Sequence, residues 1–203
     1  MSKLFSILIF FSFTNTAFAQ QVIDRDFTEE EYAVQIDSLR QLNGRRVSEL
    51  GNKVELATQL ALLHYPELRS NRIKIRYKSN VQYPITASWS FWNIFKPRRW
   101  HTYIVLIKPG TFVDKVSLNK GVGIIGHEMA HFAYYRKRPS VAMLWWGFKY
   151  ITFKKFRYRF EREADYTAID HGLGYQLLEI SFYIGRQQVL QHMKAHSTLY
   201  GTQ

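Results

Sequence analysis

The sequence predicts an α+β domain, with N-terminal helices, a small, mostly antiparallel sheet, and helices from there to the C-terminus. Three observations predict it. Apolar residues recur at three- and four-residue steps ahead of Pro66. Basic and apolar residues alternate over 72–78. The helical pattern then returns from Ser117 onward, broken only at Pro139 and around Gly172-Leu173-Gly174. No internal repeat, low-complexity tract or linker divides the chain, so residues 20–203 read as one domain. With 203 residues and 46% apolar content the chain can bury a core without disulfides and is too hydrophobic for disorder.

The elements follow in order. Thr28-Glu29-Glu30-Glu31 has the form of a capping box, Thr28 capping and Glu31 reaching back, and predicts a helix to about Leu42 closed by Asn43-Gly44. A second helix is predicted from near Arg46, because Val47, Leu50, Val54, Ala57, Leu60 and Ala61 share one face and Pro66 bars continuation. Residues 72–78, 85–91 and 102–107 read as strands, and Lys108-Pro109-Gly110-Thr111 ends the sheet. Ser117 is a natural cap for the next helix, whose Val122, Ile125, Met129 and Phe132 form an apolar face.

Residues 1–19 have the pattern of a secretory signal peptide: Lys3, an apolar run from Leu4 to Phe13, and the small-x-small signal Ala17-Phe18-Ala19 ahead of Gln20. The competing reading is an uncleaved anchor, although the run falls short of the ~20 residues a spanning helix needs. Cleavage after Ala19 predicts an exported protein of the periplasm, cell envelope or extracellular space. The chain carries 28 Lys and Arg against 16 Asp and Glu, a formal charge of +12, of which cleavage removes only that of Lys3. Such a charge seeks an anionic neighbour, and export favours a membrane or envelope surface over nucleic acid. A basic nucleic-acid binder would explain the charge but neither the leader nor the acidic motifs.

The chain has no cysteine, so thiol nucleophiles and Cys-ligated metals are excluded and any metal must sit on His, Glu or Asp. His127-Glu128-Met129-Ala130-His131 is an H-E-x-x-H motif. Two histidines at i and i+4 on a helix share a face and can reach one zinc ion, with Glu128 placed to handle a proton of water. About thirty residues on, Phe160-Glu161-Arg162-Glu163-Ala164-Asp165 puts Glu161 and Asp165 on one helical face while Glu163 points elsewhere. Such a turn can bring one carboxylate to a metal and a second to a ligand imidazole. Ala164 and Ala168 are small enough for close packing on the motif helix. Gly126, beside the first histidine, is expected to admit another backbone, an edge strand of the sheet such as 102–107.

Together, G-H-E-M-A-H and E-R-E-A-D resemble the gluzincin metallopeptidases, most of all the HtpX-like and CAAX-prenyl-protease branch with its H-E-x-x-H and later E-x-x-A-D. The likeness spans roughly 113–172. It implies a zincin-type active-site helix followed by a glutamate helix and a C-terminal helix. It implies one Zn2+ held by His127, His131 and Glu161, Glu128 as general base and acid, Asp165 orienting the His127 ring, and a protein or peptide substrate. The branch's later oxyanion-stabilising His or Arg has no clear counterpart; His171, His192, His196 and Tyr166 are the candidates. Unlike the membrane members, this sequence carries no segment long enough to span beside the motif.

Two further stretches, 92–100 and 141–159, mix Trp, Phe and Tyr with Lys and Arg, the composition of an interfacial segment that would meet an anionic membrane. The alternative is that these aromatics close the core and roof the active site. The sequence thus points to an exported zinc endopeptidase, working in one version at a membrane surface. Its rival is a catalytically weak or inactive zincin-fold protein serving as a binding, chaperone or assembly factor of the envelope.

Overall fold

The computed structural model describes residues 26–43, 47, 52–111, 115–180 and 183–200. The predicted leader, and with it the cleavage signal, lies outside the described residues, as does Gly44.

Two short helices, α1 (Glu29–Tyr32) and α2 (Ile36–Leu42), come first among the described residues and are joined by a 3-10 turn. Thr28 sits at the N-cap in extended backbone, but its hydroxyl makes no capping hydrogen bond, so the expected capping box is not formed. The entry is anchored instead by tertiary contacts. The Phe27 amide donates to the buried Asn119 Oδ1 at 3.1 Å, and the Phe27 ring meets Tyr32 edge-on at 5.3 Å. Helix α3 (Lys53–Leu63) begins later than the periodicity predicts. Asn52 caps it, accepting the Glu55 amide at 3.1 Å, while Val47 makes an isolated parallel bridge to Ile73. A β-branched residue with a buried place beside the sheet goes there instead of extending the helix. Because α3 is buried almost all round, its polar residues need partners: Arg40 grips Glu55 with two hydrogen bonds, 2.7 and 3.0 Å, and Asn43 donates to the backbone and side chain of Gln59.

Strands β1 (Arg72–Tyr77), β2 (Ile85–Trp89) and β3 (Thr102–Ile107) form a sheet in the order β1-β3-β2. β3 pairs with β2 antiparallel and with β1 parallel, so the sheet is mixed and not mostly antiparallel. The cause is topological. β1 and β2 run in opposite directions, as their short connection requires, and β3 inserts between them, so it must parallel one of the two. Its sequence, Thr-Tyr-Ile-Val-Leu-Ile, has no charge and suits the central position, whereas β1 alternates with Arg and Lys and suits an edge. Tyr103, Val105 and Ile107 with Ile73, Ile75 and Ile85 turn one face of the sheet to the helices.

The remaining helices are α4 (Leu118–Arg136), α5 (Ala142–Thr152), α6 (Lys154–Asp170), α7 (Gly174–Leu178), α8 (Arg186–Ala195) and the short α9 (Ser197–Tyr200). α4 is the central element, buried from Leu118 to Ala133 apart from Lys120 and packed against the sheet, α3, α6 and α7. Its Phe132 stacks on Tyr103 at 4.9 Å. Gly123 permits the approach of α7: a Cβ there would lie 3.0 Å from the Gln176 backbone carbon and 2.6 Å from Ile180 Cδ1. Gly126 admits no strand. The side chain of buried Leu173 fills the space over it, and its carbonyl accepts the Tyr65 hydroxyl at 2.7 Å.

Candidate metal centre

Ser117 caps α4 as its sequence predicts, accepting the Lys120 amide at 3.3 Å. Ten residues on, His127 and His131 lie one turn apart, both buried, with ring centroids 5.0 Å apart. Along α6 the buried residues are Phe160, Glu161, Ala164, Asp165, Ala168 and Ile169, a single face that leaves Glu163 in solvent. Ala164 and Ala168 let that face lie close on α4. Glu161 Oε2 then stands 3.0 Å from His127 Nε2 and 3.1 Å from His131 Nε2.

Asp165, one turn further, accepts from His127 Nδ1 at 2.7 Å, which leaves Nε2 aimed at Glu161. Its other oxygen accepts the amides of Tyr183 and Ile184 at 2.9 and 3.0 Å, so the carboxylate is itself fixed. His127, His131 and Glu161 form a buried group whose ligand atoms all lie within 4.8 Å of one another, close enough to hold one metal ion. Two imidazole nitrogens and one carboxylate oxygen, converging from two helices, fit a borderline-soft divalent cation.

The electrostatics follow from burial and proximity. Burial opposes a charge on His127, yet its hydrogen bonds to Asp165 and Glu161 outweigh it and hold the imidazole up at about 10. Burial likewise opposes ionisation of Glu161, but the hydrogen bonds from His127 and His131 pull its carboxyl far below the ordinary carboxylate range. For Glu128 burial wins over the attraction of the two histidines, and its carboxyl is raised.

These groups form the floor of a cavity of about 570 Å³. One wall is β2 with the residues just before it, and the other is α5 with Trp146, Tyr150 and Ile151. The strand beside the motif helix is therefore β2, the sheet edge, and not the central 102–107. Ser90 and Pro84 pair with β3, and antiparallel alternation leaves the backbone groups of Ile85, Ala87 and Trp89 on the free edge. Ala87 also makes a backbone hydrogen bond to Glu128.

His171, His192, His196 and Tyr166 all lie outside this cavity. His171 bonds Glu67 and the Thr167 carbonyl and stacks on Tyr65; His192 and His196 face Asp170 at 2.7 and 3.2 Å; Tyr166 packs on His192. The side chains that line it include Thr86 and Ser88 of β2 and four tyrosines, Tyr83, Tyr135, Tyr150 and Tyr183, none of them among the expected oxyanion candidates. Tyr150 donates its hydroxyl proton to Glu161 Oε1, and the Tyr183 ring stacks on His127 at 6.0 Å. Burial and then the Glu161 charge push the Tyr183 phenol up to about 12. The signal for Tyr150 was present in Met143, Trp146 and Tyr150, an i, i+3, i+7 series that puts one side of α5 against α6 and the cavity. In comparisons with known proteins the chain matches no family model, no curated protein and no solved structure.

Proposed function

We propose that this chain is a zinc-dependent metallopeptidase of the gluzincin kind, exported across a membrane, with His127, His131 and Glu161 as the metal ligands and Glu128 as the general base. The observation that carries the proposal is the placement of Glu128. It is a buried carboxylate with a raised pKa in the floor of the same cavity that holds the three ligands, beside the free edge of β2. A zinc ion held there would supply Lewis acidity, polarising a scissile carbonyl and easing deprotonation of water.

The chain's own residues do the rest. A substrate segment laid along β2 pairs with the outward backbone groups of Ile85 and Trp89 and the Ala87 carbonyl as an added strand would, which sets the scissile bond over the histidines. Glu128 accepts a proton from the attacking water as its oxygen bonds to the carbonyl carbon. When the carbon–nitrogen bond breaks, the same carboxyl returns that proton to the departing amine. A carboxyl raised by burial suits both transfers better than a solvated one. Asp165 holds the His127 ring in the orientation that turns Nε2 toward Glu161.

Glu128→Gln tests the reading. The variant is expected to bind one zinc per chain, as the unaltered protein does, and to lose cleavage of a peptide library by at least a hundredfold. His131→Ala is expected to lose the metal. Undiminished cleavage by Glu128→Gln would overturn the mechanism, and undiminished zinc binding by His131→Ala would overturn the ligand set.

A further inference from the structure

Helix α5 is apolar on both sides, yet it is not buried. Inward, Met143 is buried, Trp146 meets Tyr134 at 5.0 Å and Phe156 at 4.9 Å, and Tyr150 meets Phe160 at 5.9 Å. Outward, Leu144, Trp145, Phe148 and Ile151 are 51%, 56%, 51% and 79% exposed. The aromatics of 141–159 are thus divided between roofing the cavity and facing solvent. A helix apolar all round belongs in a core or in lipid. At eleven residues, roughly 16 Å, α5 is too short to cross a bilayer, and among the described residues no helix is long and apolar enough to do so.

A second patch adjoins it. The 3-10 turns Phe91–Phe95 and Arg98–Trp100 leave Phe91, Trp92, Phe95 and Trp100 between 58% and 72% exposed. Ser140, just ahead of α5, donates to the Asn93 carbonyl at 3.2 Å, so the two patches are tied side by side. Each also continues a wall of the cavity, since β2 runs directly into the Phe91 turn and Ile151 of α5 stands on the rim.

Charge says what covers this face. Residues 68–113 and 129–160 contain seventeen of the 28 Lys and Arg and none of the 16 Asp and Glu. Cations sit among the exposed rings, with Arg99 over Trp100 at 5.0 Å and Lys149 over Trp145 at 5.2 Å. Exposed Trp and Phe mixed with cations match the headgroup layer of an anionic bilayer, where the rings lie at the acyl boundary and the cations meet phosphate.

We propose that α5 and the 91–100 turns dock this protein on the surface of an anionic lipid bilayer, with the mouth of the cavity held against the headgroups. Resting on the peptidase reading, its substrates are then polypeptide segments lying at, or emerging from, the membrane surface. The docking itself does not depend on catalysis.

The test is co-sedimentation of the full chain with vesicles of phosphatidylcholine alone or mixed with phosphatidylglycerol. Binding to the anionic vesicles is expected, weakened by salt and accompanied by a blue shift of tryptophan emission. The quadruple variant Trp92→Ser/Phe95→Ser/Trp145→Ser/Phe148→Ser is expected to bind at least tenfold more weakly with its circular dichroism and zinc content unchanged. Arg99→Gln/Lys154→Gln/Lys155→Gln is expected to lose the preference for the anionic lipid. Three outcomes would overturn the proposal: no sedimentation with either vesicle, undiminished binding by the quadruple variant (as when residues 4–13 carry it), or a face covered by a second copy, seen as a dimer without lipid that the same four substitutions dissociate. Glu128→Gln is expected to bind vesicles like the unaltered protein. If no peptide is cut while vesicle binding follows these expectations, the peptidase reading fails and the docking stands.

Discussion

Asp165 accepts from His127 Nδ1 at 2.7 Å with one carboxylate oxygen and holds the backbone of residues 183 and 184 with the other. One side chain therefore sets the orientation of a candidate ligand and pins the segment that brings Tyr183 over it.

Replacing Asp165 by Asn is expected to weaken both. The imidazole loses its anionic partner, and metal affinity should fall about 10- to 100-fold in a chelator competition titration. Two amides lose a charged acceptor in a buried place, and a melt should show a cost on the order of 1–3 kcal/mol. Unchanged affinity would show that Asp165 does not orient the ring.

Tyr150 donates to the Glu161 oxygen that does not face the histidines. Tyr150→Phe keeps the ring against Phe160 and removes only the donor, so the fold should persist. Metal affinity is expected to drop by a few-fold to tenfold, the equivalent of about 0.5–1.5 kcal/mol. The same titration checks it.

His64 is buried, with Nδ1 2.8 Å from the His171 carbonyl and Nε2 without a hydrogen-bond partner. Burial lowers its pKa from 6.5 to about 4. The folded state therefore disfavours the charged ring, so this stabilisation is full above pH 6.5 and is eroded as pH falls from there through about 4, by at most roughly 3 kcal/mol. His171, beside it, acts in the opposite sense. Burial opposes its charge, but the hydrogen bond to Glu67 wins and raises it, so its contribution is present below 6.5 and lost as pH rises through the raised value. His64→Asn keeps a donor and cannot charge. Its denaturant midpoint is expected to vary less between pH 7 and 4 than that of the unaltered protein; an identical slope would count against a neutral His64.

Gly123 has the Gln176 backbone and Ile180 against it. Alanine is the better helix former, yet Gly123→Ala is expected to destabilise by about 1–3 kcal/mol, since a backbone carbon cannot move aside as a side-chain tip can. Thermal unfolding decides the sign.

What the sequence determined by itself was whatever depends on near neighbours along the chain. Ser117 as a cap, His127 and His131 on one face, Glu161 and Asp165 on another with Glu163 turned away, and the exact span of 102–107 all follow from helical or strand period. Local order also misled where a distant partner competed. Thr28 does not cap, because the start of its helix is held by Asn119, ninety-odd positions away, and Val47 leaves its helix for Ile73.

Only the tertiary structure decided the order of the strands, and with it which edge borders the site, because pairing energy is similar for several orders and the choice rests on how the sheet packs beneath α4. It likewise decided that Leu173 and not a strand covers Gly126, and that Tyr150 and Tyr183 rather than any later histidine line the cavity. Leu173 meets Gly126 and Tyr183 meets His127 across more than forty positions, and although helical period puts Tyr150 on the inner side of its helix, which carboxylate it meets there depends on how two helices pack.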